Sequence, residues 1–97
     1  AVADEDVDIR FSYCTECIIT KSRDCKDPAS LRAYLETIGD CVVVVDDEEI
    51  IKVHVHTDHP GLVLEKVGEY GMFISVKIEN MRNQHSALVS LFFLVCR

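Results

Sequence analysis

Residues 50–61 run Ile50-Ile51-Lys52-Val53-His54-Val55-His56-Thr57-Asp58-His59-Pro60-Gly61. Apolar and polar side chains alternate through the first half, so Ile51, Val53 and Val55 share one face of a strand while Lys52, His54 and His56 share the other. The alternation then gives way to Thr57 or Asp58 as a helix cap and Pro60 in a first helical turn. A strand carrying two imidazoles on its polar face therefore feeds directly into a helix. Imidazole ligates zinc and moves protons near neutral pH, which sets a functional reading beside the plain one of a solvated polar face. Neighbouring strands decide between the two, by what they place on the same face.

Working back from this strand, residues 41–45 form a short apolar strand, and the acidic turn over residues 46–49 joins it to the histidine strand as a hairpin. Before it, Asp27-Pro28 opens a helix whose Leu31, Tyr34, Leu35 and Ile38 recur at the spacing of one buried stripe, with Gly39 as the stop. Residues 9–19 make the first strand. Its Phe11, Tyr13, Thr15, Cys17 and Ile19 point to the core, and its Ser12, Cys14, Glu16 and Ile18 point away. Residues 20–26 form a polar loop whose Lys21, Arg23 and Lys26 read as solvated charges rather than an anion site.

Working forward, Val63, Leu64, Val67 and Tyr70 form the stripe of a second helix that Gly71 ends and Gly68 weakens. Residues 72–78 are the last strand. Ile74, Val76 and Ile78 should face inward and Phe73, Ser75 and Lys77 outward, which leaves Phe73 on the wrong side. The order strand, helix, strand, strand, helix, strand specifies an α+β domain of ferredoxin-like, split βαβ topology (βαββαβ). That fold is a four-stranded antiparallel sheet with both helices on one face.

In this topology the first and third strands are central neighbours, so Cys14 and Glu16 meet His54 and His56 on the face the helices leave open. Thiolate and imidazole suit tetrahedral zinc, and Cys14, His54 and His56 leave one position for Glu16, water or a partner's residue. His59 is a further candidate, read more simply as a surface histidine at a helix start. Cys14 and Cys17 form a C-x-x-C pair, but residues three apart on a strand face opposite ways, so Cys17 belongs to the core.

Composition bounds the function. With 97 residues, 48% hydrophobic and 28% charged, the chain is a single globular domain, and a net charge of −7 argues against nucleic acid as a partner. Five irregularly spaced cysteines fit a reduced, cytoplasmic protein. The acidic residues 1–8 read as a linker without secretory character, and the missing initiator Met suggests a fragment. The apolar run at residues 87–96 is about half the ~20 residues a membrane span needs.

Three separated motifs carry a resemblance. They are Tyr13-Cys14-Thr15-Glu16, then Lys52-Val53-His54-Val55-His56-Thr57 with Pro60-Gly61, then Lys77-Ile78-Glu79-Asn80-Met81-Arg82 with Gln84-His85. Together they resemble the middle domain of the bacterial fatty acid kinase A subunit, also described as the DhaL-domain or dihydroxyacetone-kinase-like family. The resemblance places a middle domain over residues 9–85. It implies a cytoplasmic parent with an N-terminal kinase domain that binds ATP and magnesium, this domain, and a C-terminal region. Such a parent phosphorylates a fatty acid presented by a DegV-type binding protein, giving acyl phosphate for phospholipid synthesis.

On the matching positions it implies that Cys14, His54 and His56 bind zinc and hold the domain in the shape, or the homodimer, that the kinase needs. The chain itself has no Gly-rich phosphate loop and no ordered Asp cluster for magnesium, so it is expected to be non-catalytic. Residues 86–97 depart from the family's polar continuation and read as an apolar tail able to associate with another copy. Two other classes compete. One is a small metal-carrier or ligand-sensing module of the same topology, and the other an enzyme with Cys14 as nucleophile, His54 or His56 as base and Glu16 orienting it.

Overall fold

A computed structural model describes residues 9–82; the expected linker at residues 1–8 and the tail at residues 86–97 lie outside the described residues, as do Gln84 and His85. The elements are β1 (Tyr13–Lys21), α1 (Pro28–Ile38), β2 (Gly39–Asp46), β3 (Ile50–Thr57), α2 (Pro60–Val67) and β4 (Gly71–Asn80). The sheet runs β2-β3-β1-β4 with every pair antiparallel, which is the ferredoxin-like order.

The core lies between the helices and one sheet face. Cys17 and Ile19 from β1, Ile51, Val53 and Val55 from β3, Leu31 and Leu35 from α1, and Val63 and Val67 from α2 form one buried cluster with Tyr70. All the strand members share one parity, and Cys17 pairs with Val53 as Ile19 pairs with Ile51, so both helices cover the same side. Each fully buried aliphatic side chain contributes roughly 1.5–3 kcal/mol, which is what fixes the register against a one-residue slip. Lys21 and Lys26 are held by Asp46 at 2.5 Å and Glu69 at 2.7 Å, so two of the three basic side chains of this stretch are paired within the chain.

Of four local expectations, one holds and three change. Asp27 caps α1 as read, its Oδ1 accepting from the Ala29 amide at 3.0 Å. Gly39 ends that helix in extended backbone, φ −167°, and β2 begins there without a loop; a Cβ at Gly39 would run into the His56 carbonyl oxygen. Neither Thr57 nor Asp58 caps α2. His59 occupies the cap position, Thr57 Oγ1 accepts from the His59 amide at 2.9 Å, and Asp58 Oδ1 accepts from the Ser12 amide at 2.8 Å. α2 ends at Gly68, whose amide reaches the Leu64 carbonyl at 2.9 Å, whereas Gly71 starts β4 because any side chain there would meet the Thr20 carbonyl.

The misplaced Phe73 is resolved by a β-bulge. Ile18 pairs with Ser75 and Ile19 with Phe73, so Ile74 is an extra residue and the parity of β4 reverses across it. Phe73, Val76 and Ile78 thus share the helix-side face, and Ile74 does not face inward with them. Because β4 is an edge strand that the helices only partly cover, these three remain 42%, 46% and 44% exposed.

Thr15 supplies a stability prediction. It is fully buried opposite Val55, and its hydroxyl has no hydrogen-bond partner among the described residues. An unpaired buried hydroxyl costs free energy that an isosteric methyl does not. Thr15→Val is therefore expected to stabilise the domain by about 1 kcal/mol, read as a higher urea midpoint at unchanged slope.

Candidate metal centre

The register arranges the open face as three rows across β2, β3, β1 and β4. One row is Asp40, His56, Cys14 and Glu79; the next is Val43, His54, Glu16 and Lys77; the third is Val45, Lys52, Ile18 and Ser75. Alternation along β1 and β3 is what turns these side chains away from the helices. Cys14 and Glu16 therefore stand directly across from His56 and His54, as the sequence reading required.

One donor atom from each of Cys14, His54 and His56 lies within 4.8 Å of the others, and all three residues are half-buried. His54 Nε2 and His56 Nε2 are 3.2 Å apart. Two nitrogens at about 2.05 Å from a tetrahedral zinc stand about 3.3 Å apart, so the imidazoles already have the separation that one ion demands. Cys14 Sγ lies 3.9 Å from His54 Nδ1.

Glu16 is placed behind His54. Its Oε2 is 3.0 Å from His54 Nδ1, a shorter contact than the thiol makes, so the carboxylate accepts the Nδ1 proton and leaves Nε2 free to face His56. This is the carboxylate–histidine pairing that orients metal-binding imidazoles and makes them more basic. The same hydrogen bond with His54, outweighing the opposing desolvation, holds the Glu16 carboxyl below its ordinary range.

Burial, followed by the nearby charges of Glu16 and Glu79, pushes the Cys14 thiol up, with Lys77 opposing. Burial alone pushes Cys17 up to about 11, in keeping with its place in the core. His59 sits apart, at the start of α2, lining a groove with Arg10, Glu36 and Leu62; it belongs to neither donor group among the described residues.

The sequence reading passed over Cys41 and Asp40. Asp40, Cys41 and His56 form a second set whose donor atoms lie within 4.8 Å of one another. The cause is a bulge in β2: Asp40 pairs with His56 and Val43 with His54, so Cys41 and Val42 together oppose Val55. Cys41 takes φ +53°, which leaves its side chain exposed, and Val42 packs against the core in its place. Within an unbroken apolar run no periodicity marks such an insertion.

Fold and site together define an α+β domain of ferredoxin-like topology with a thiol and two imidazoles gathered on its uncovered sheet face. The chain belongs to the family of middle domains from fatty acid kinase A-like subunits, whose model it matches over residues 10–88. It is 42% identical over 84 residues to Uncharacterized protein SH1689 of Staphylococcus haemolyticus (strain JCSC1435). It is 42% identical over the same length to Uncharacterized protein SAUSA300_1119 of Staphylococcus aureus (strain USA300). Each alignment covers 84% of this chain and 15% of the relative, so the chain spans a small part of the length of the curated proteins it matches. Among the described residues, no helix is long and apolar enough to cross a membrane.

Proposed function

We propose that the domain binds one zinc ion through Cys14, His54 and His56 and serves as a non-catalytic regulatory or scaffolding part of a larger fatty acid kinase protein. Family membership supports the kinase context. The observation that carries the zinc reading is the 3.2 Å approach of the two Nε2 atoms, with Cys14 in the same donor group and Glu16 orienting one ring from behind. Zinc bound there would tie β1 to β3 and hold the open face in one shape.

In this reading the rest of the protein supplies the ATP and magnesium site. It transfers phosphate to a fatty acid held by a DegV-type binding protein in the cytoplasm, and the acyl phosphate feeds phospholipid synthesis. The alternative with Cys14 as nucleophile draws less support. A thiol raised by burial and two carboxylates is largely protonated at neutral pH, whereas attack needs the thiolate.

Elemental analysis tests the zinc reading. The wild-type chain is expected to carry about one zinc per molecule and the His54→Ala, His56→Ala double variant close to none, with circular dichroism confirming that the variant folds. Equal zinc in the two proteins would remove the site.

A further inference from the structure

We infer that Cys41 is the fourth donor to the same ion, closing the site as Cys14, Cys41, His54 and His56. The inference rests on the zinc reading above and extends it. Both donor sets, Cys14 with His54 and His56, and Cys41 with Asp40 and His56, share His56. They approach it from opposite sides, Cys14 from β1 and Cys41 from β2, with β3 between. An ion seated against the His56 ring would thus have a thiol on each neighbouring strand.

The bulge is what makes this arrangement. In a regular ladder the residue after Asp40 would oppose Val55 and turn toward the helices. Here Val42 fills that inward place, and the extra residue, at φ +53°, is left with its thiol on the outside near His56. Left-handed backbone favours Gly or Asn, so a cysteine there is held at a conformational cost. Donor atoms around tetrahedral zinc stand about 3.3–3.8 Å apart; Cys41 is within 4.8 Å of His56 but does not fall in the group with Cys14 and His54, so closing the site needs its exposed side chain to rotate about χ1 toward them.

Asp40 is the weaker claimant for the fourth position. It lies directly opposite His56 as Glu16 lies opposite His54, and its Oδ2 is already 3.8 Å from the Arg10 guanidinium. A thiolate is also the softer donor and matches Cys14. Four protein donors leave no open coordination position, which is the pattern of a structural rather than a catalytic zinc.

Cobalt(II) substitution reads the number of thiolates directly, because each Co–S bond adds near-ultraviolet charge-transfer absorption while the visible bands report tetrahedral geometry. The wild-type chain should show tetrahedral bands with two-thiolate intensity. Cys41→Ser and Cys41→Gly, the second of which suits the left-handed backbone, should each lose about half of that intensity and bind zinc about 10-fold or more weakly. Cys25→Ser, Cys96→Ser and Asp40→Asn should keep the full intensity.

If both Cys41 variants match wild type in intensity and affinity, Cys41 is not a ligand, and the three-residue site stands without it. If wild-type protein binds no cobalt, or binds it unchanged in the His54→Ala, His56→Ala variant, both readings fall together.

Discussion

Replacing Gly39 by Ala is expected to destabilise the domain by about 3 kcal/mol, the upper end of what overpacking costs. The backbone is not the reason, since φ −167° is open to any residue. The cause is collision: a methyl at Gly39 would overlap the His56 carbonyl oxygen and press on Val55 Cγ2 at 2.9 Å. Two backbones approach there because α1 runs into β2 with no connecting loop, and Gly39 pairs at once with Thr57. Relief requires β2 to move off β3, which shifts His56 and so, on the proposed zinc reading, lowers metal affinity as well.

Urea unfolding with and without a chelator separates the two effects. Gly61→Ala is the control, with nothing within 4 Å of the added methyl. It should be neutral or gain up to about 1 kcal/mol from better helix propensity. A Gly39→Ala protein as stable as that control would show that the two strands are not in close contact at this point.

Thr57→Val is expected to cost about 2–3 kcal/mol, opposite in sign to the same exchange at Thr15. Both threonines are fully buried. The Thr57 hydroxyl, however, donates to the Ile38 carbonyl at 2.8 Å and accepts from the His59 amide at 2.9 Å. It therefore satisfies the last turn of α1 and the first of α2 together, and Val would leave a carbonyl and an amide short of partners. Thr57→Ser keeps the hydroxyl and loses one methyl, so it should cost only about 0.8 kcal/mol. Equal losses for Val and Ser would assign the effect to packing. Because Thr57 and Gly39 share one corner of the sheet, their double variant should be less destabilised than the sum of the singles.

The alternation in residues 50–56, the stripes of the two helices and the order of the elements were enough to specify the ferredoxin-like sheet. The meeting of Cys14 with His54 and His56 on its open side was legible too. Those features follow from local periodicity, because burying one face of each element admits few arrangements. The bulges were not legible in the same way: the one at Ile74 showed only as Phe73 falling on the wrong face, and the one at Cys41 not at all. The position of the insertion at Ile74 depends on how β4 pairs with β1, and the one at Cys41 on how β2 pairs with β3, inside an unbroken apolar run that carries no mark of it. For the same reason tertiary structure alone assigned Glu16 to the back of His54, turned Asp58 to Ser12 and brought Cys41 near His56. Each of these contacts is set by register between strands or segments distant in sequence, where propensity and spacing carry no information.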